Sequence, residues 1–272
     1  MLALAGSGVA YAGNCSVSAL NTVSCNGVFT DTIIGFFPTN DLTLIVGDTA
    51  PTSVTPSYGD YGIYAKWDNV TVVSYADITT EAADGIFADS DYDVSATNHG
   101  NITTDATDTP YANAIDVTAE GDVTIVNDGD ILAYSNYGNY YVYAVNAVSL
   151  GGDITIENQE GGTILGSAYS ENGYGVPAVA YEGDVTVNNA GSIAGSSFTS
   201  NATGVNIGSL NGTATVDNSG HIEAYSLTDD AVGVSTLSVF GDAVVDNSGS
   251  INAGGYGLAY GVVAYSEFYD AI

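Results

Sequence analysis

Eleven residues, Gly183-Asp-Val-Thr-Val-Asn-Asn-Ala-Gly-Ser-Ile193, return as Gly212-Thr-Ala-Thr-Val-Asp-Asn-Ser-Gly-His-Ile222 and again as Gly241-Asp-Ala-Val-Val-Asp-Asn-Ser-Gly-Ser-Ile251. An earlier copy runs from Gly121 to Ile131. Ile193, Ile222 and Ile251 are 29 residues apart, as are Ile102 and Ile131, and Ile164 and Ile193. A fixed period of this length belongs to stacked-repeat architectures, in which each unit buries its apolar side only against its neighbours.

Within a unit the apolar positions alternate: Val123 and Ile125, Val185 and Val187, Ala243 and Val245. Period-two alternation over so short a run predicts a strand with one buried face. Asn follows at Asn98, Asn127, Asn158, Asn189, Asn218 and Asn247, with Gly two positions later at Gly100, Gly129, Gly191, Gly220 and Gly249. Asn-x-Gly predicts a tight bend using positive φ. A third apolar run places Val176, Val205, Val234 and Val263 at the same spacing. Three short strands per unit and no helical pattern predict an all-β fold, a single-domain parallel β-helix (β-solenoid) with ~29-residue coils. Stacking then turns the six asparagines into a structural ladder of side-chain amides, and the isoleucines into a core ladder.

Residues 1–12 read as the remnant of a secretory signal, a short apolar run ending in the small-x-small pattern Ala10-Tyr11-Ala12. Residues 13–60 read as an N-terminal cap and first coil, and 61–272 as the repeats. Cys15 and Cys25 are the only cysteines, and an even count in an exported chain favours one disulfide within the cap. The step from Ile78 to Ile102 is 24 residues and that from Ile131 to Ile164 is 33. Part of the surplus forms a tyrosine-rich loop at 132–144, and variable loops on constant strands are where solenoids carry function. The chain reaches Ile272 just past the third strand of a coil, which reads as a fragment with an open edge.

Against 32 acidic residues there is one basic side chain, Lys66, for a formal charge of −31. That excludes electrostatic binding to nucleic acid or to an anionic bilayer. No segment approaches the length of a membrane span, so this segment is not expected to insert into a membrane directly. With 45% hydrophobic residues the chain is not of disordered composition.

The units, GDVTVxNxGxI followed by a loop and a Gly-Val or Gly-Ile-Tyr-Ala strand, resemble the passenger regions of bacterial autotransporters, the type V secretion proteins of Gram-negative bacteria. The resemblance covers roughly residues 60–272. It implies a right-handed β-helix that is secreted or displayed at the cell surface, carried across the outer membrane by a C-terminal β-barrel absent from this chain. It also implies a role in adhesion, cell aggregation or biofilm formation, with a host or neighbouring-cell surface protein or glycan, or a second copy, as partner.

An enzyme is the main rival reading. Lyases that cleave acidic polysaccharides use Arg or Lys, which this chain all but lacks. A two-carboxylate glycosidase remains open, with Asp229-Asp230 near His221 the best pair, and a purely structural stalk or self-associating filament is the third class. No cofactor is expected, with one exception. Asp89, Asp91 and Asp93 put three carboxylates on alternate residues, a hard-oxygen set suited to Ca²⁺, although alternation equally describes one exposed strand face. Of the loop tyrosines, Tyr141 and Tyr143 share parity with the inward Val145 and are assigned to the core. Tyr134, Tyr137 and Tyr140 are left as the candidate contact surface.

Overall fold

In the computed structural model the described residues are 14–19, 21–35, 41–107, 113–136 and 141–272. The segment 1–12 lies outside them, as do Tyr137 and Tyr140. The chain is an all-β solenoid with three sheets of ten, ten and nine strands, in which successive coils each lay a strand parallel on the one before; the antiparallel Asn14–Ala19 and the short Val142–Tyr143 are the additions to this pattern. In one coil the order is Val185–Asn189 in an asparagine sheet, Ser192–Ser197 in an isoleucine sheet and Ala202–Ser209 in a valine sheet. Registers are unbroken along the stack: Ile164 pairs with Ile193, Ile193 with Ile222 and Ile222 with Ile251. Parallel stacking already begins with Thr22–Asn26 on Asp41–Val46, and continues through Ile78 and Ile102 across the shortened coil.

Alternation places Val185 and Val187, Ile193, and Val205 and Ile207 inside, each almost fully buried. A buried aliphatic side chain of this kind contributes about 1.5–3 kcal/mol. The third column differs from its expected register at the last step. Val234 pairs with Val262 rather than Val263, because that coil is one residue shorter between Ala231 and Ala259.

The asparagines form a continuous ladder. Asn98 Nδ2 donates to Asn127 Oδ1, and the same bond repeats through Asn158, Asn189, Asn218 and Asn247 at 2.6–2.9 Å. The glycines beside them are needed for a different reason from the one expected. None of Gly100, Gly129, Gly191, Gly220 or Gly249 has positive φ. A Cβ on each of the last four would instead run into the carbonyl of the bend glycine one coil earlier, so the corner closes only around hydrogen atoms.

At the N-terminal end Asn14–Ala19 lies antiparallel on Thr22–Asn26, covering the first coil's edge. Cys15 and Cys25 face each other there and are joined by a disulfide. At the other end Ala271 bridges Ala243, while Val262, Leu258 and Tyr256 are exposed.

Candidate functional site

The three corners of the coil differ in what they carry. Between the valine and asparagine sheets a second ladder, not anticipated from the sequence, uses Asp93 and then the Asp of the Gly-Asp pairs that follow it in the stack. Asp93 Oδ1 accepts from Asp122 N, Asp122 Oδ1 from Asp153 N and Asp153 Oδ1 from Asp184 N, each at 2.8 Å. Its signal was in the repeat, in the recurrence of Asp after Gly at 122, 153, 184 and 242. Ser149, Ser209 and Ser238 close the same turn by donating to the carbonyls of Gly121, Gly183 and Gly212.

This corner also accounts for the acidic triplet. Asp89 lies within the strand Ile86–Ser90 and pairs with Lys66 at 2.6 Å, Asp91 lies in the turn, and Asp93 joins the ladder. The triplet crosses a corner instead of lining one strand face. Among the described residues no three His, Cys, Asp or Glu side chains are grouped so as to hold a metal.

The pair Asp229-Asp230 is not brought to His221. His221 opens the strand His221–Ser226, and the pair lies past that strand's other end. Asp230 Oδ1 accepts from Leu258 N, while His221 Nδ1 meets Ser250 Oγ at 2.7 Å.

The aromatics collect at the third corner, between the isoleucine and valine sheets. On the outer face of the isoleucine sheet Tyr134, Ser167, Ser196 and Tyr225 stand in one register column across four coils. The next outward column after the bend holds Tyr169, Phe198 and Leu227, whose backbones bond in sequence: Phe198 N to Ala168 O and Leu227 N to Ser197 O, both 3.0 Å. The Tyr169 and Phe198 rings stack with centroids 4.8 Å apart and planes 6° from parallel. Between the columns lies an open groove of about 460 Å³. Ser167 and Ser196 form its floor, with Ser196 Oγ donating to Ser167 Oγ at 2.9 Å. Gly166 and Gly195 on the inner side bring these strands against the valine sheet, where a Cβ would strike the carbonyls of Tyr174 and Thr203. Tyr225, Tyr169, Phe198 and Leu227 are between 40% and 50% exposed, an apolar surface that folding leaves in water.

Tyr134 is thus the part of the expected contact surface that the described residues contain, half-buried at one end of the groove. Burial, then the Asp105 carboxylate to which its hydroxyl bonds, raise its phenol. Tyr141 and Tyr143 do not enter the core. Ala144 and Val145 are both buried at a bend, so parity inverts there and the two tyrosines face outward. They stack with each other, centroids 6.3 Å apart, and Tyr143 packs on Tyr174 at 5.2 Å. Ser167, Ser196, Phe198, Tyr225 and Leu227 were missed from sequence; their signal was again a 29-residue spacing, of Ser196 to Tyr225 and of Phe198 to Leu227.

Near the same corner two carboxylates depart from ordinary behaviour. Burial raises Asp84 to about 7 against the opposing hydrogen bond from Asn113 N, which is 2.6 Å long. Burial likewise raises Asp116, opposed by hydrogen bonds from Asn146 and Asn113.

No family model, no curated protein and no solved structure matches this chain.

Proposed function

We propose that this chain is a recognition scaffold of the autotransporter-passenger kind, secreted or displayed at a bacterial surface, which attaches cells through the aromatic corner. The observation that carries this reading is the groove between Tyr134 and Tyr225 with its stacked Tyr169–Phe198 wall. Two corners spend their polar groups on ladders that hold the coils together. The third instead leaves a row of aromatic and aliphatic side chains half in water across successive coils, the composition that anchors binding interfaces. The net charge of −31 keeps such a surface soluble by self-repulsion. The reading is tested by displaying the chain on a non-adherent bacterium and measuring aggregation and attachment to neighbouring cells. Tyr169→Ser with Phe198→Ser should abolish attachment while the circular dichroism spectrum is unchanged; attachment equal to the parent chain removes the assignment.

A further inference from the structure

We infer that the groove takes a neutral oligosaccharide laid along the solenoid axis, an inference that rests on the recognition role proposed above. The first ground is charge. Among the described residues the groove is lined by tyrosine, serine, asparagine, alanine, phenylalanine and leucine, with no carboxylate or cation, in a chain of net charge −31. Acids resume immediately outside it: Asp105 and Glu81 continue the column beyond Tyr134, and Glu223 lies on the same strand as Tyr225. An anionic ligand is repelled by the field of the whole chain, and a cationic one, though drawn by that field, has no carboxylate lining the groove to pair with.

The second ground is the bonding left open. The backbone of the floor is paired coil to coil throughout, so an extended peptide finds no edge to extend. What the floor offers is hydroxyl groups. Ser167 accepts from Ser196 and keeps its own proton to donate. Hydroxyls below and aromatic faces beside match a ligand whose ring faces are apolar and whose edges are hydroxyls, which describes a pyranose.

Size agrees. Tyr134 and Tyr225 are three coil steps apart, about 14 Å. A volume near 460 Å³ lies within the range of small-ligand sites and holds roughly two or three sugar rings.

The test uses the full chain on immobilised neutral hexose and N-acetylhexosamine oligosaccharides, the same backbones carrying carboxylate or sulfate, and uncharged peptides. Ser196→Tyr fills the floor with the residue its own column holds at Tyr134 and Tyr225, so the coil tolerates it. Phe198→Ser removes half of the wall without touching the floor. The expected result is binding to a neutral oligosaccharide, weakened roughly tenfold or more by acidic groups and by either substitution, with melting temperatures close to the parent. No neutral oligosaccharide bound, a preference for peptides, or binding undiminished in both variants overturns the inference. Displayed cells separate the two readings. Attachment that Ser196→Tyr and Phe198→Ser abolish but free neutral oligosaccharide does not inhibit sinks the sugar and keeps the recognition surface. Attachment indifferent to both substitutions sinks the surface itself.

Discussion

The asparagine corner and the aromatic corner are built by the same repeat and meet opposite demands. At the first, every buried amide has a partner in the coil above or below, and each bend glycine has its neighbour's carbonyl where a side chain would be. The amide column holds even where two extra residues separate Asn158 from its bend glycine, Gly162. At the second, coil length changes from one repeat to the next and the outward column runs Tyr134, Ser167, Ser196, Tyr225 without a rule. Nothing in the stacking needs those side chains. A solenoid therefore separates the residues that hold it together from those free to recognise something, and puts them on different edges of one coil.

The contrast is sharpest where the stack is most constrained. Ile193→Asp puts a carboxylate into the core column between Ile164 and Ile222 with no partner, and should cost about 5 kcal/mol or more, read from the denaturation midpoint. A midpoint unchanged by this substitution breaks the assignment of the isoleucine column to the interior.

The aromatic corner has one component that works against stability. Asp84 titrates near 7 when folded and near 3.8 when exposed, so well below pH 3.8 the carboxyl is protonated in both states and costs nothing. As pH rises from 4 to 7 only the unfolded chain releases the proton, and stability falls until it levels off above 7. The offset corresponds to about 4 kcal/mol. Asp84→Asn, which keeps an acceptor for Asn113 N, should raise the melting temperature at pH 8 and leave it nearly unchanged at pH 3.5. An equal effect at both pH values would show that burial does not govern this carboxyl.

Asn189→Ala, at the asparagine corner, removes the acceptor of Asn158 Nδ2 and a donor to Asn218 Oδ1. It should cost about 1–3 kcal/mol by denaturant titration, with coils on both sides affected. Asn189→Asp keeps the acceptor but sets a buried carboxylate against Asn218 Oδ1, so at pH 7 it should cost at least as much as the alanine; no destabilisation by either substitution would separate the ladder from stability.

How far these roles were legible follows the same division. The isoleucine and asparagine columns could be read directly, because one residue type recurring at nearly the same spacing leaves one way to stack. The Gly-Asp ladder was written just as plainly but passed over, since an exposed acid next to a glycine reads as turn composition. The bend glycines were recognised for the wrong cause: close approach between coils is a tertiary demand that local sequence does not distinguish from positive φ. Tyr141 and Tyr143 were misassigned because parity counted back from Val145 assumes a straight strand, while Ala144 and Val145 turn inward together. The groove was the least legible part, since it exists only once Ser167 and Ser196 lie side by side between two tyrosines that are three coils apart.

The smallest effect on stability belongs to the wall of that groove, and it bears most on the separation of roles. Tyr169 and Phe198 are each 44% exposed, and the ring contact that the pair adds is worth about 1 kcal/mol. Replacing both by Ser keeps the backbone bonds from Phe198 N to Ala168 O and from Thr199 N to Tyr169 O, which hold the turn whatever side chains it bears. The double variant should therefore melt within a few degrees of the parent, as a domain of this size shifts by only about 2–4 °C for each kcal/mol. If it melts far lower, the wall is part of what closes the coil, and the two corners are both structural. If stability holds and attachment is lost, side chains that the solenoid does not need are being kept on its surface for a partner.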